Sequence, residues 1–145
     1  MNIHHKALIL VADGQKFLFL RNIGDFKSPN LKVESQGAQE SAPTHAQGSD
    51  RPGTAPASNG SVRSAMEQTD FHQLDKDHFA AQTAALLCQR AQAGDFEELI
   101  VVAPPKTLAE LRKHYDKSVT SRLIAEVDKD LTKHPVNEIA GILTR

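Results

Sequence analysis

Apolar positions fall into short continuous runs near the N-terminus and then into a helical stripe that alternates with further runs. Residues 6–12 form one short run, closed by Asp13-Gly14. A run of that length bounded by a turn pair predicts a strand buried on both faces. Asp13-Gly14 leads straight into Phe17-Leu18-Phe19-Leu20, which predicts a hairpin and makes the first two strands antiparallel neighbours. A third short strand is expected at Leu31-Lys32-Val33-Glu34, after a turn containing Gly24 and Pro29.

The pattern then stops. Residues 35–64 hold six Ser, five Ala, four Gly and three Pro, with Val62 as the one large aliphatic residue. Such a stretch cannot bury enough apolar surface to offset its ordering entropy, so a long, flexible, disordered loop is expected after the third strand. Order resumes with Asp70 as a helix cap and Gln73 as its capping-box partner. Phe79, Thr83, Leu86, Leu87 and Ala91 recur at helical spacing, and Gly94 supplies a stop, predicting a helix over about 71–93. Leu99–Ala103 reads as a central parallel strand ended by Pro104-Pro105. Residues 106–115 read as a helix with Leu108, Leu111 and Tyr115 on one side, 118–123 as a second short helix, and 123–127 as a last strand. Residues 135–143 read as a terminal helix with Pro135 in its first turn. Three strands, a loop, then helix, strand, helix, strand, helix make one α/β domain over 1–145, a sandwich with a mixed sheet.

Composition narrows the function classes. Formal net charge is −1, so no bulk field draws the chain to nucleic acid or to an anionic membrane. The single cysteine, Cys88, cannot form an internal disulfide and suits a reducing compartment. The first apolar run, Ala7 to Ala12, is too short for a secretory signal, and no run nears the ~18 apolar residues of a membrane span. A cytoplasmic protein with no membrane partner is the expectation.

Candidate chemistry is sparse. His4 and His5 point to opposite faces of an extended segment. His72 and His78, six apart with Asp75 and Asp77 between, do not share a helical face, so surface histidines are favoured over a metal site. There is no GxSxG elbow, no phosphate-binding Walker loop and no dinucleotide fingerprint, and Cys88 reads as a buried, inert thiol. No cofactor and no small-molecule substrate is identifiable. Asp13 sits at the end of the first strand, on the rim where α/β proteins place functional groups. Its plain reading is a turn residue before Gly14. A metal-dependent nuclease would need further acids beside it, for which Glu34, Glu67 and Asp70 are candidates in sequence only. A basic stretch, Lys106, Arg112, Lys113, His114, Lys117 and Arg122, could meet phosphates, with Arg63 joining it. Interleaved Glu110 and Asp116 favour a solvated helix face.

Several short words stand in a fixed order: Val11-Ala12-Asp13-Gly14, Arg63-Ser64-Ala65-Met66-Glu67, Phe79-Ala80, Val102-Ala103-Pro104-Pro105, Leu108-x-x-Leu111-Arg112, and Lys129-Asp130-Leu131-Thr132 with Pro135 beyond. Together they resemble the bacterial host-attachment protein family, proteins required for attachment to host cells, across essentially the whole chain. That family is in turn similar to the middle domain of archaeal and eukaryotic peptide-chain release factors and their ribosome-rescue relatives. The resemblance implies a three-layer, ribonuclease H-like α/β fold with an exposed loop between the early strands and the first helix. In release factors that loop carries a Gly-Gly-Gln tip. Here the nearest pieces are Asn59-Gly60-Ser61 and, separately, Gln68, so no catalytic residue carries over. The expectation is a non-enzymatic, intracellular interaction protein with an indirect role in host attachment, a monomer or homodimer with a protein partner. Its contact surface would include Asp13, Arg63, Ser64, Glu67, Lys106, Arg112 and Lys113. The alternatives are a ribosome- or RNA-associated factor lacking Gly-Gly-Gln and a nuclease built on Asp13.

Overall fold

The computed structural model describes residues 1–39 and 65–145, with the backbone alone over 65–74. Its elements in chain order are β1 (Leu8–Ala12), β2 (Lys16–Asn22), β3 (Leu31–Ala38), α1 (Ala65–Gln92), β4 (Leu99–Ala103), α2 (Pro105–Arg112), α3 (Lys117–Thr120), β5 (Leu123–Asp128) and α4 (Val136–Thr144). The strands form one mixed sheet in the order β3-β2-β1-β4-β5. β1, β2 and β3 are antiparallel neighbours, whereas β1, β4 and β5 run parallel.

The two central strands dictate the layers. Every residue of β1 and of β4 is buried, so both faces of the sheet must be covered. Alternation along the strands sorts their side chains. Leu8, Leu10, Leu99 and Val101 meet Ala84, Leu87 and Ala91 of α1 and Leu108 and Leu111 of α2. Ile9, Val11, Ile100 and Val102 meet Leu131 and, from α4, Ile139 and Leu143. The result is a three-layer α/β sandwich. Fully burying each large side chain of this kind contributes about 1.5–3 kcal/mol.

The hairpin, the central parallel strand and the Gly94 stop stand where the apolar pattern puts them. Gly94 is left-handed, with φ of 70°, and the Asp95 amide closes the helix end on the Arg90 carbonyl at 3.0 Å. Three boundaries differ. β3 runs to Ala38, four residues past the expected end at Glu34, so the expected loop of 35–64 begins too early. Ser35, Gln36, Gly37 and Ala38 pair with β2 from Phe19 back to Lys16. These polar and small residues carry no strong apolar signal, but an edge strand needs only main-chain hydrogen bonds. Gly37 lets the Phe17 ring lie against the main chain there, because a Cβ would stand 2.6 Å from the ring and displace it. The rest of that loop, residues 40–64, lies outside the described residues. α1 begins at Ala65, which puts Asp70 and Gln73 inside the helix, not at its cap. Ala65, Met66, Glu67 and Gln68 are strong helix formers and extend it past the local capping signal. α2 ends at Arg112, earlier than expected, because Asp116 caps α3 by accepting a hydrogen bond from the Val119 amide.

Two alternating charges on each side fasten α1 to the sheet edge. Arg21 of β2 pairs with Glu34 of β3 at 3.1 Å, and Arg90 of α1 pairs with Asp95 at 2.7 Å. Arg21 also reaches Asp95, and Arg90 reaches Glu34, which closes the ring. Arg90 lies 4.9 Å above the Phe19 ring as well. Burial alone would raise the Glu34 carboxyl, but hydrogen bonds from Arg21 and Arg90 outweigh it and hold the group below its ordinary value. A carboxyl depressed by folding adds stability above its unfolded pKa, and that stability is lost as pH falls through the folded value. In a urea series, Glu34→Gln should therefore be less stable than wild type at neutral pH. The difference should shrink as pH drops below the ordinary Glu value of about 4.3. A difference that stays constant with pH would contradict this role.

Candidate functional site

The chain leaves β1 toward β2 on one side and leaves β4 toward β5 on the other, so the β1–β4 pair is a topological switch point. In open α/β sheets the crevice outside the carboxyl ends of the strands at such a point is where ligands bind. Here that crevice is a cavity of about 660 Å³, bordered by Asp13, Lys76, Asp77, Lys106, Asp130 and Lys133.

Each wall has a local cause. Asp13 follows β1 and closes the tight turn into β2. Its Oδ1 accepts from the Gln15 and Lys16 amides, both at 2.7 Å, and its own amide donates to the Lys16 carbonyl at 2.9 Å. Its Oδ2 accepts from the Thr132 hydroxyl at 2.6 Å. Thr132 is buried, and its hydroxyl oxygen is also 3.2 Å from Asp130 Oδ1. One carboxylate thus ties the first turn to the segment after the last strand, 119 residues away in sequence. Gly14 lies under the Lys76 stem, where a Cβ would come within 2.7 Å of Lys76 Cγ, so the turn and α1 approach closely. Pro104 and Pro105 turn the chain from β4 into α2, which starts with no side-chain cap, and Lys106 follows at the mouth of the cavity.

The expected basic stretch does not act as one surface. Arg112 pairs with Glu126 at 2.8 Å and Lys113 with Glu110 at 3.1 Å. Hydrogen bonds from Lys113, opposed by desolvation, and then from His114 hold the Glu110 carboxyl below its ordinary range. The Arg122 guanidinium donates to the Phe96 and Ser118 carbonyls. Among the described residues, only Lys106 of the expected contact residues joins Asp13 at the cavity. Arg63 and Ser64 lie outside the described residues, as does the Glu67 side chain. Lys76 and Lys133 were missed because nothing in sequence links them to Lys106. For Lys133 the usable signal was position, just beyond the end of β5; Lys76, inside α1, had no such signal. Lys76, Lys106 and Lys133 are exposed, and none makes an ion pair or hydrogen bond among the described residues.

Other candidates stand elsewhere. Glu34, offered as a partner for Asp13, is taken up by Arg21 and Arg90. His4 pairs with Glu98 and His5 with the Gly24 carbonyl. Among the described residues no group of three or more His, Cys, Asp or Glu side chains is placed to hold a metal ion. Cys88 is half-buried, donates to the His114 carbonyl at 3.6 Å, and is pushed above its ordinary pKa by burial, which suits an unreactive thiol. No helix among the described residues is long and apolar enough to cross a membrane.

Among known families, residues 6–143 match bacterial archaeo-eukaryotic release factor family 12. The chain belongs to this family. The release-factor likeness carried by the ordered words is therefore a property of nearly the whole sequence. A search of curated proteins gives no match. As a member of release factor family 12 the chain has no Gly-Gly-Gln anywhere in its sequence. The Asp13–Thr132 tie generates a direct test. Thr132→Val removes the buried donor at nearly constant volume and leaves an Asp13 oxygen short of a partner. It should cost about 1–3 kcal/mol in denaturant unfolding with an unchanged m-value. A neutral substitution would mean that the tie contributes nothing.

Proposed function

We propose that this release factor family 12 chain is a non-enzymatic, ribosome- or RNA-associated factor acting in the cytoplasm. The observation that carries the reading is the family match over residues 6–143, taken with three lysines on one rim of the fold that have no partner among the described residues. That rim also adjoins the point where the chain departs from β3. Ala38 pairs with Lys16, and the Gln39 amide donates to the Gln15 carbonyl at 2.7 Å, beside the Asp13 turn. The segment that release factors use as a tip therefore leaves this fold next to the lysines. Unpaired lysines suit phosphate contacts, which supply most non-specific nucleic-acid affinity. Without Gly-Gly-Gln the chain lacks the group that release factors bring to peptidyl-tRNA, so contact without hydrolysis is the proposed outcome. The strand order, with an antiparallel hairpin on a parallel half-sheet, supports a ribonuclease H-like assignment. Of the expected contact residues, Asp13 and Lys106 belong to the proposed surface. Arg112 and Lys113 are neutralised by their own partners.

An indirect part in host attachment is the second reading, and the ordered residue words favour it. One fractionation separates the two. Intact cells are treated with protease, then lysed and spun for ribosomes at low and high salt. The first reading predicts a protease-protected chain that pellets with ribosomes at low salt and is released at high salt. A chain absent from the low-salt pellet contradicts it. Protease-accessible chain on intact cells contradicts the cytoplasmic assignment and favours attachment.

A further inference from the structure

We infer that the cavity at the β1–β4 switch point binds a single nucleoside phosphate unit, either as a free nucleotide or as one residue of an RNA. The inference deepens the ribosome or RNA reading but rests on it only for the RNA source, since the cavity argument is made from this chain alone.

The charges decide the class of ligand. Four carboxylates line the cavity with three lysines, yet the two sets are not partnered alike. Asp13 accepts from two amides and the Thr132 hydroxyl, Glu110 holds Lys113 and His114, and Asp77 is engaged as well. Asp130 is exposed, and its Oδ1 stands 3.2 Å from the Thr132 hydroxyl oxygen. The lysines have no partner among the described residues. The cavity therefore offers three unused ammonium donors and, at Asp130, a carboxylate with an acceptor to spare. A bare phosphate would use the lysines and face the acid unfavourably. A nucleoside phosphate uses both, because its phosphate oxygens accept from the lysines while a ribose hydroxyl donates to Asp130. The latter is the role a carboxylate plays toward ribose in dinucleotide sites at the same place in an α/β sheet. Ala80, Pro104 and Pro105 add an apolar patch of wall suited to a sugar or base face. The volume of about 660 Å³ lies within the range of ligand pockets, roughly 300–1,000 Å³.

The test is equilibrium binding of the intact purified chain, without ribosomes, to adenosine monophosphate, inorganic phosphate and a short single-stranded RNA. The variants are Lys106→Ala, Lys133→Ala and Asp130→Asn, with Lys27→Ala on the β2–β3 loop as control. All four side chains are exposed, and thermal unfolding verifies that each variant folds. The expected result is nucleotide binding tighter than phosphate binding. Each cavity lysine variant should weaken it by about tenfold, the factor carried by one charge-assisted hydrogen bond. Asp130→Asn should weaken the nucleotide but not phosphate, and Lys27→Ala should change neither. The same variant pattern seen with RNA alone assigns the unit to RNA. Failure of both nucleotide and RNA to bind, or binding indifferent to Lys106 and Lys133, overturns the inference. Ribosome pelleting by a chain that binds neither nucleotide nor RNA, or whose pelleting is indifferent to Lys106 and Lys133, would overturn it while leaving the reading above intact.

Discussion

The side-by-side pairing of β1 with β4 places two five-residue strands, Leu8–Ala12 and Leu99–Ala103, at the centre of the sheet without one polar side chain. Ten apolar side chains pointing alternately to both faces cannot be left in water on either side. α1, α2 and α3 cover one face and α4 the other, and the three-layer arrangement follows. The same pairing fixes where polar groups can gather. Apolar side chains fill the faces of the central strands, so the polar residues that follow β1 and β4 collect at their carboxyl ends. The chain turns in opposite directions there and leaves a cavity between the turns.

At that rim the fold spends Asp13 and Glu110 on structure, and Lys76, Lys106 and Lys133 have no partner among the described residues. Asp13 closes a turn and holds Thr132 from the segment after β5. Glu110 is absorbed by its own helix neighbours. The contrast separates residues that build the rim from residues that can meet a ligand. The chain belongs to release factor family 12 over residues 6–143. Its sequence contains no Gly-Gly-Gln.

Much of this frame is legible in the residues. The Ala7–Ala12 and Leu99–Ala103 runs, the Asp13-Gly14 hairpin and the Gly94 stop are local patterns, and local patterns decide them. β3 runs longer than its apolar signal because Ser35–Ala38 are held by main-chain pairing with β2, to which side-chain hydropathy is blind. The Asp70 capping signal lost to the helix propensity of the residues before it. The site was half legible. Asp13 and Lys106 stand beside recognisable strand ends. Lys76 and Lys133 join them only through the crossover topology, and Arg112 and Lys113, adjacent in sequence to a candidate patch, turn out to be paired with Glu126 and Glu110. Sequence proximity of like charges says nothing about where their counter-charges fold.

The central claim is that the switch-point cavity is where this chain takes its ligand. Amide hydrogen exchange on the intact chain, with and without adenosine monophosphate, reads this directly. The account predicts slowed exchange at the Asp13–Lys16 turn, at Lys106 and Thr107, and over 129–133, with no change at the β2–β3 loop. Slowing confined to the opposite end of the sheet, around His5–Ala7 and Gly94–Glu98, or no slowing anywhere, would contradict it.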